Sequence, residues 1–441
     1  MAAAVLDVVK SQKQGRASGI CSVCSANRYV LEAAMLEAKA AGQPVLIEST
    51  SNQVNQFGGY MSMTAAQFVA YVHGIAADVK FPVNQVILGG DHLGPNPWQK
   101  EPAKTAMPKA LELVKSCVRA GYTKLHLDTS MKCADDPAGA HVPLDEKVIT
   151  ERAAEMCEAA EAAFKELPAG SPAPVYIVGT EVPIPGGEQA GHGAVLVTKP
   201  TDAERTIQIT KDAFKKRGLE QAWERVVATV VQPGVEFGDA TVVHYDRPKA
   251  TALSKLIEKY PNLVFEAHST DYQNPQALKQ LVEDHFAILK VGPWLTFAFR
   301  EAVFALEQIE REWLGGKSGV ELSKLAETME AVMLANPSNW KAYYTGDEHG
   351  LKFARKYSYS DRSRYYWPNA QLDASLQRLL NNLARDPAPA TLLAQFMPVQ
   401  YAAVQLGQLE NTPRALARHK VGEVLRVYRM ACTPDGRDFV R

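Results

Sequence analysis

Between residues 19 and 292 the chain alternates eight short runs with seven longer stretches. A short run that is apolar almost throughout precedes a longer stretch whose apolar positions recur at helical spacing. The apolar runs lie at 19–24, 44–49, 85–95, 124–130, 174–181, 225–234, 263–268 and 286–292. Strands buried on both faces, as in a parallel sheet, read this way, whereas half-exposed strands alternate. The helical stretches lie at 29–41, 64–79, 103–120, 145–166, 202–217, 249–260 and 275–283. Ser25 and Thr64 stand where N-caps are expected, and Gly42, Gly121 and Gly218 stand just past helix ends.

Eight strands alternating with helices predict an α/β fold, a (β/α)8 TIM barrel, over residues 1–314. The rival is a doubly wound sheet, whose dinucleotide fingerprint is absent. Past residue 315 the alternation stops. The stretches 322–334 and 372–383 read as helices, with an aromatic and polar segment between them. Residues 315–441 are therefore expected to form a helical extension packed on the barrel.

Composition narrows the class. A chain of 441 residues, 46% hydrophobic, can bury a large core. Its net charge of −1 gives no electrostatic reason to expect nucleic acid or a membrane surface as partner. No apolar run is long enough to span a bilayer, and the first ten residues lack a signal peptide's basic start. A cytoplasmic protein is expected. Cys21 and Cys24 form a C-x-x-C, but on a strand positions i and i+3 face opposite sides, so reduced structural thiols are expected.

A barrel carries its chemistry at the carboxyl ends of its strands. The third run, Val86-Ile-Leu88, leads into Gly89 and Gly90 and then into Asp91 and His92. Glycines there permit a tight turn or close approach of a ligand. The other tips carry Glu48; His126, Asp128 and Ser130; Glu181; Gln232, with Glu236 just beyond; His268, with Asp271; and Lys290. So many polar groups at the ends of apolar runs point to a site, because such strands enter a packed interior.

His92, Glu181 and His268 offer nitrogen and oxygen from three strands, a set suited to Zn2+ or a similar divalent ion. Asp91 is a candidate general acid/base, or a group that orients a ligand, and Glu181 could share the catalysis. His126 and Asp128, two apart on one strand face, could bind a polyol or each other. Glu48, Ser130, Gln232 and Asp271 complete the candidate substrate contacts. Lys290 could form a Schiff base if its pKa were depressed, or an ion pair. Arg362 and Arg364, in a basic and aromatic stretch, could bind phosphate or dock a helix. The run Leu314-Gly-Gly-Lys-Ser-Gly319 is no phosphate loop, because position 311 is Arg where the motif needs Gly. No nucleotide site is recognised.

The motifs GGDHLGPNPW, HLDTSMKCADD, VGTEVPIPGG, VVQPGVEFG, FEAHSTDYQ and YSDRSRYYWP occur in this order. Together they resemble the GatZ/KbaZ family from residue 19 to beyond residue 400. The resemblance implies the larger, non-catalytic subunit of a class II D-tagatose-1,6-bisphosphate aldolase, one that stabilises or activates a separate catalytic chain. Members also carry the name tagatose-6-phosphate kinase, and some relatives are linked to C4 epimerisation of ketohexoses or their phosphates. The implied partners are a ketose or sugar phosphate and a class II aldolase catalytic subunit, within an oligomer.

The family is similar in turn to the zinc-dependent class II aldolases, which are (β/α)8 barrels. The likeness gives Asp91 the proton transfer and His92 and His268 the zinc. Two departures stand out. Gln232 occupies the sixth tip, where the aldolases place a ligand histidine. Ser-Thr-Asp271 and Lys290-Val-Gly-Pro replace their Gly-rich phosphate turn and Asn-x-Asp-Thr. A lost phosphate site and an altered metal site follow. They suit a subunit that no longer catalyses the parent reaction, or a stand-alone metal-dependent ketohexose or ketohexose-phosphate epimerase or aldolase. A kinase is the third reading, without a nucleotide motif behind it.

Overall fold

The computed structural model describes residues 3–137, 144–180 and 195–434. The elements run α1 (Ala3–Lys13), β1 (Ile20–Val23), α2 (Arg28–Ala41), β2 (Val45–Thr50), α3 (Ala65–Asp78), β3 (Val86–Leu93), α4 (Ala103–Arg119), β4 (Lys124–Leu127), α5 (Glu146–Lys165) and β5 (Val175–Val178). Then come α6 (Pro200–Lys216), α7 (Glu220–Trp223), β6 (Val226–Val230), β7 (Glu236–Phe237), β8 (Val242–Val243), α8 (Arg247–Ile257), β9 (Val264–Ala267), α9 (Pro275–Glu283), β10 (Phe286–Val291) and α10 (Pro293–Leu314). Six more helices follow: α11 (Leu325–Ala335), α12 (Glu348–Tyr357), α13 (Ala370–Arg385), α14 (Ala390–Phe396), α15 (Pro398–Gln405) and α16 (Pro413–Cys432).

Strands β1 to β6, β9 and β10 are parallel and close into a barrel, with β10 pairing to both β9 and β1. These are the eight strands that the apolar runs predict. The end that opens at the strand starts is plugged by α1. Its Val5, Val8 and Val9 share one buried cluster with Val175, Ile177, Val264 and Ile288. The hairpin β7–β8 interrupts the alternation between β6 and α8.

One cap differs from expectation. Asn27, not Ser25, caps α2, its side chain accepting the N–H groups of Tyr29 and Val30. Ser25 instead accepts the N–H of Asn27 at 3.2 Å. Thr64 caps α3 as a full capping box with Gln67.

The later helices wrap back onto the barrel's outer ring, with α16 against α2, α9 and α10. Between α12 and α13 the chain is pinned over the strand tips. Ser358 and Ser360 each donate to Asp239 Oδ1 at 2.9 Å, and Tyr272 donates to the Tyr359 carbonyl at 2.7 Å. Among the described residues, no helix is long and apolar enough to cross a membrane.

The tip of β3 is tightly fitted. His92 adopts a φ of +46°, and the pairing with β4 shifts register between Gly90 and Leu93. A Cβ on Gly94 would lie 1.7 Å from the Asp128 carbonyl oxygen. Gly94→Ala is expected to force the β3 and β4 tips apart at a cost of about 3 kcal/mol. Denaturant unfolding measures this, and an unchanged midpoint would contradict the packing.

Candidate functional site

Two lysines and two glutamates form the floor of the site. Glu48 on β2, Lys124 on β4 and Glu266 on β9 are fully buried. Lys124 Nζ lies 2.6 Å from Glu48 Oε1 and 2.6 Å from Glu266 Oε2. Neither contact has hydrogen-bonding angles, so the lysine acts here as a charge rather than as an aimed donor. Lys290 on β10 donates to Glu48 Oε2 and sits 3.0 Å from Asp91 Oδ1. Burial alone would lower the Lys290 pKa. Asp91, followed by Cys24, Glu48 and Glu266, outweighs it and holds the ammonium well above its usual value. A protonated Lys290 is not a Schiff-base nucleophile, so the ion-pair alternative describes it.

Three imidazoles cover this floor. The ring centroids of His92, His126 and His268 lie 4.8–5.2 Å apart. His126 Nδ1 is 3.1 Å from Asp91 Oδ1 and 3.2 Å from the His92 N–H. The two contacts ask opposite things of Nδ1: the His92 N–H donates to a lone pair there, whereas an ionised Asp91 would accept a proton from it. Nε2 is buried with no protein partner. His268 Nε2 meets Glu266 Oε1 at 3.0 Å, and burial lowers its pKa to about 4 against the pull of Glu266. A neutral His268 donates Nε2–H to Glu266 and keeps its lone pair on Nδ1.

His92 occupies a different position. Its Nδ1 pairs with Asp128 Oδ2 at 2.7 Å, and its Nε2 is 3.8 Å from Asp91 Oδ2. Burial disfavours its charge, but Asp91 and Asp128 prevail and raise its pKa. Burial likewise opposes ionisation of Asp91 and Asp128. His92, in both, is the main group holding them below the usual carboxylate range.

Donor atoms of Asp91, His126, Glu266 and His268 all lie within 4.8 Å of one another. An ion at about 2.1 Å from each donor fits after a small closure. The partnerless His126 Nε2 and the charge of the cluster agree with that. Three carboxylates (Glu48, Asp91 and Glu266) contact two lysines, and Asp128 is paired with His92, so the cluster keeps an excess negative charge that suits a further cation. These residues fit a divalent ion.

The cavity above the cluster is lined by Asp91, His92, His268, Lys290, Asn52, Gln53, Tyr60, Asp271, Arg364 and Tyr365, among others. Arg364 donates to the Asp361 carbonyl at 3.1 Å and to Tyr365 Oη at 2.8 Å, and faces this mouth. Arg362 faces elsewhere: it lies over the Tyr343 ring and donates to the Asn339 carbonyl at 2.9 Å. Ser130 supports Asp128 with a 2.6 Å hydrogen bond. Gln232 Oε1 accepts the N–H groups of Gly234 and Val235 in its own loop. Glu236 accepts the Phe237 N–H. Glu181 lies outside the described residues.

Asp271 Oδ1 accepts the N–H groups of Gly292 and Trp294, at 3.0 and 2.8 Å, where α10 begins. Burial raises its pKa to about 6 despite those bonds. The sequence reading passed over Glu266 and Lys124. The signal was there: each lies two residues before a tip histidine, so each points to that histidine's face of the strand.

A family profile described as "D-tagatose-1,6-bisphosphate aldolase subunit GatZ/KbaZ-like" matches residues 5–433. Among solved structures, a probable tagatose 6 phosphate kinase from Sinorhizobium meliloti 1021 matches with a TM-score of 0.85 and 45% identity, over 94% of this chain and 100% of that one. A fructose-bisphosphate aldolase from Campylobacter jejuni matches with a TM-score of 0.47 and 13% identity, over 86% and 90% of the two chains. The YdjI aldolase from Escherichia coli K12 gives 0.40 and 11%, over 85% and 93%.

Proposed function

This chain belongs to the GatZ/KbaZ-like family, and on that premise we propose that it serves carbohydrate metabolism as the barrel subunit of a tagatose-1,6-bisphosphate aldolase. In this role it stabilises or activates a separate class II catalytic chain. One observation carries the non-catalytic part. The Asp271 carboxylate already takes the N–H groups at the start of α10, donors that a phosphoryl group would otherwise use. A second anion there would meet its charge. Bisphosphate cleavage by this chain alone is therefore disfavoured. Six free cysteines suit a reducing, cytoplasmic setting.

The test is to mix the purified chain with a class II aldolase from the same organism. The partner's half-life or cleavage rate is expected to rise severalfold, while the isolated chain cleaves little. Fast cleavage of tagatose 1,6-bisphosphate by the isolated chain, or an indifferent partner, would overturn the proposal.

A second reading is favoured by the cluster itself: a metal-dependent ketohexose or ketohexose-phosphate epimerase or aldolase. His126, His268, Glu266 and Asp91 would hold the ion, and their nitrogen and oxygen donors suit Zn2+ or a related transition ion. Such an ion would supply Lewis acidity toward a ketose carbonyl. Asp91 is the carboxylate best placed to move a proton, and Lys290 is a fixed positive charge for a developing oxyanion. Arg364 and Tyr365 would orient hydroxyl or phosphoryl groups at the mouth. A panel of ketohexoses with added metal separates the readings, because only an enzyme of this second kind equilibrates them without a partner. The kinase reading gains no phosphate-loop sequence.

A further inference from the structure

We propose that Lys124 is a positioning residue that weakens divalent-ion binding at the barrel mouth and holds Glu266 to a single available oxygen. The inference rests on the reading that the histidine cluster binds such an ion. Lys124 is fully buried at the start of β4, beneath the imidazoles. A lysine in a barrel interior is costly, and an apolar side chain would fill the layer more cheaply. Its position shows what it does. Its ammonium engages Glu266 Oε2 at 2.6 Å, while Glu266 Oε1 turns to His268 at 3.0 Å. With Oε2 facing the Lys124 charge, Glu266 offers an ion one oxygen rather than a chelating pair.

The same ammonium contacts Glu48 Oε1 at 2.6 Å, and the other oxygen of Glu48 holds Lys290, which reaches Asp91. Lys124 therefore sets the position of Glu266 directly and that of Lys290 through Glu48. Its charge also repels a second cation nearby, an effect that low-dielectric surroundings strengthen. The two roles have the same sign: removing Lys124 should tighten ion binding. A lysine that only filled space or supported the fold would give the opposite sign, because its loss would loosen the ligands.

The experiment titrates the chelator-stripped full chain with Mn2+, followed by electron paramagnetic resonance of the free ion, and with Co2+, followed by its visible absorption. Lys124→Met is expected to tighten Kd about tenfold or more and to shift the Co2+ bands as a second oxygen joins. If that variant does not fold, Lys124→Met/Glu48→Gln replaces it. The double variant keeps the total charge and should still bind the ion more tightly than wild type, by a smaller factor. Unchanged or weaker binding by a folded variant overturns the proposal. Because the titration needs neither sugar nor aldolase partner, a failed partnership test leaves it standing. Wild type and variant both binding no ion would overturn the metal reading and this inference together. Wild type binding, with no tightening in the variant, overturns this inference alone.

Discussion

On the second reading, in which the chain itself acts on a ketose, replacing Asp91 with asparagine is expected to lower turnover about 10²–10⁴-fold while the ion stays bound. Asp91 lines the cavity and lies within ion-pair reach of both Lys290 and His126. Its carboxyl is held well below the ordinary range, burial being outweighed first by His92 and then by Lys290. It is therefore ionised at neutral pH, and because the same neighbours lower its basicity, a role as base rests on its position at the cavity rather than on its proton affinity. Asparagine keeps the shape and an oxygen donor but removes the base. If Asp91 only orients His126 and the ion, Asp91→Asn weakens ion binding about 10–100-fold instead, and added metal restores the rate. Turnover measured against metal concentration separates the two. A rate that recovers fully at saturating metal rules out proton transfer by Asp91.

His268→Ala is expected to lower divalent-ion affinity by at least about 100-fold, several kcal/mol of ligand contribution. His268 is neutral because burial lowers its pKa to about 4, so its lone pair is available at neutral pH. His92→Ala should have the smaller effect, because the His92 ring is held between Asp128 and Asp91 and is not among the four residues whose donors converge. Isothermal titration with Zn2+ against a competing chelator gives both values. Equal losses for the two variants would place His92 among the ligands after all.

The barrel could be read from the chain because parallel strands buried on both faces leave apolar runs that little else produces. The plug α1 was not read. Its apolar positions are few, and only the open strand starts of the finished barrel explain why Val5, Val8 and Val9 are buried. The cap of α2 was misplaced by two residues, since Ser25 and Asn27 are both capping types and only backbone geometry chooses between them.

At the site, most of the polar tips could be read, but their pairings could not. Spacing placed His126 and Asp128 on one face, yet Asp128 pairs with His92 and His126 with Asp91, across strands. Glu266 and Lys124 lie below the tips, and their signal in the sequence is the two-residue spacing to His268 and His126. Arg362 and Arg364 are two residues apart in one turn, and only the folded turn shows that Arg364 faces the cavity.

The central claim is that the barrel mouth holds a divalent ion on His126, Glu266, His268 and Asp91. Its most direct test is metal content by mass spectrometry after chelation, reconstitution with Zn2+ or Mn2+ at neutral pH and desalting. The account predicts one ion per chain in the wild type and none in a His126→Ala/His268→Ala double variant that remains folded. A folded wild-type protein that retains no ion, or a double variant that retains it in full, would contradict the claim.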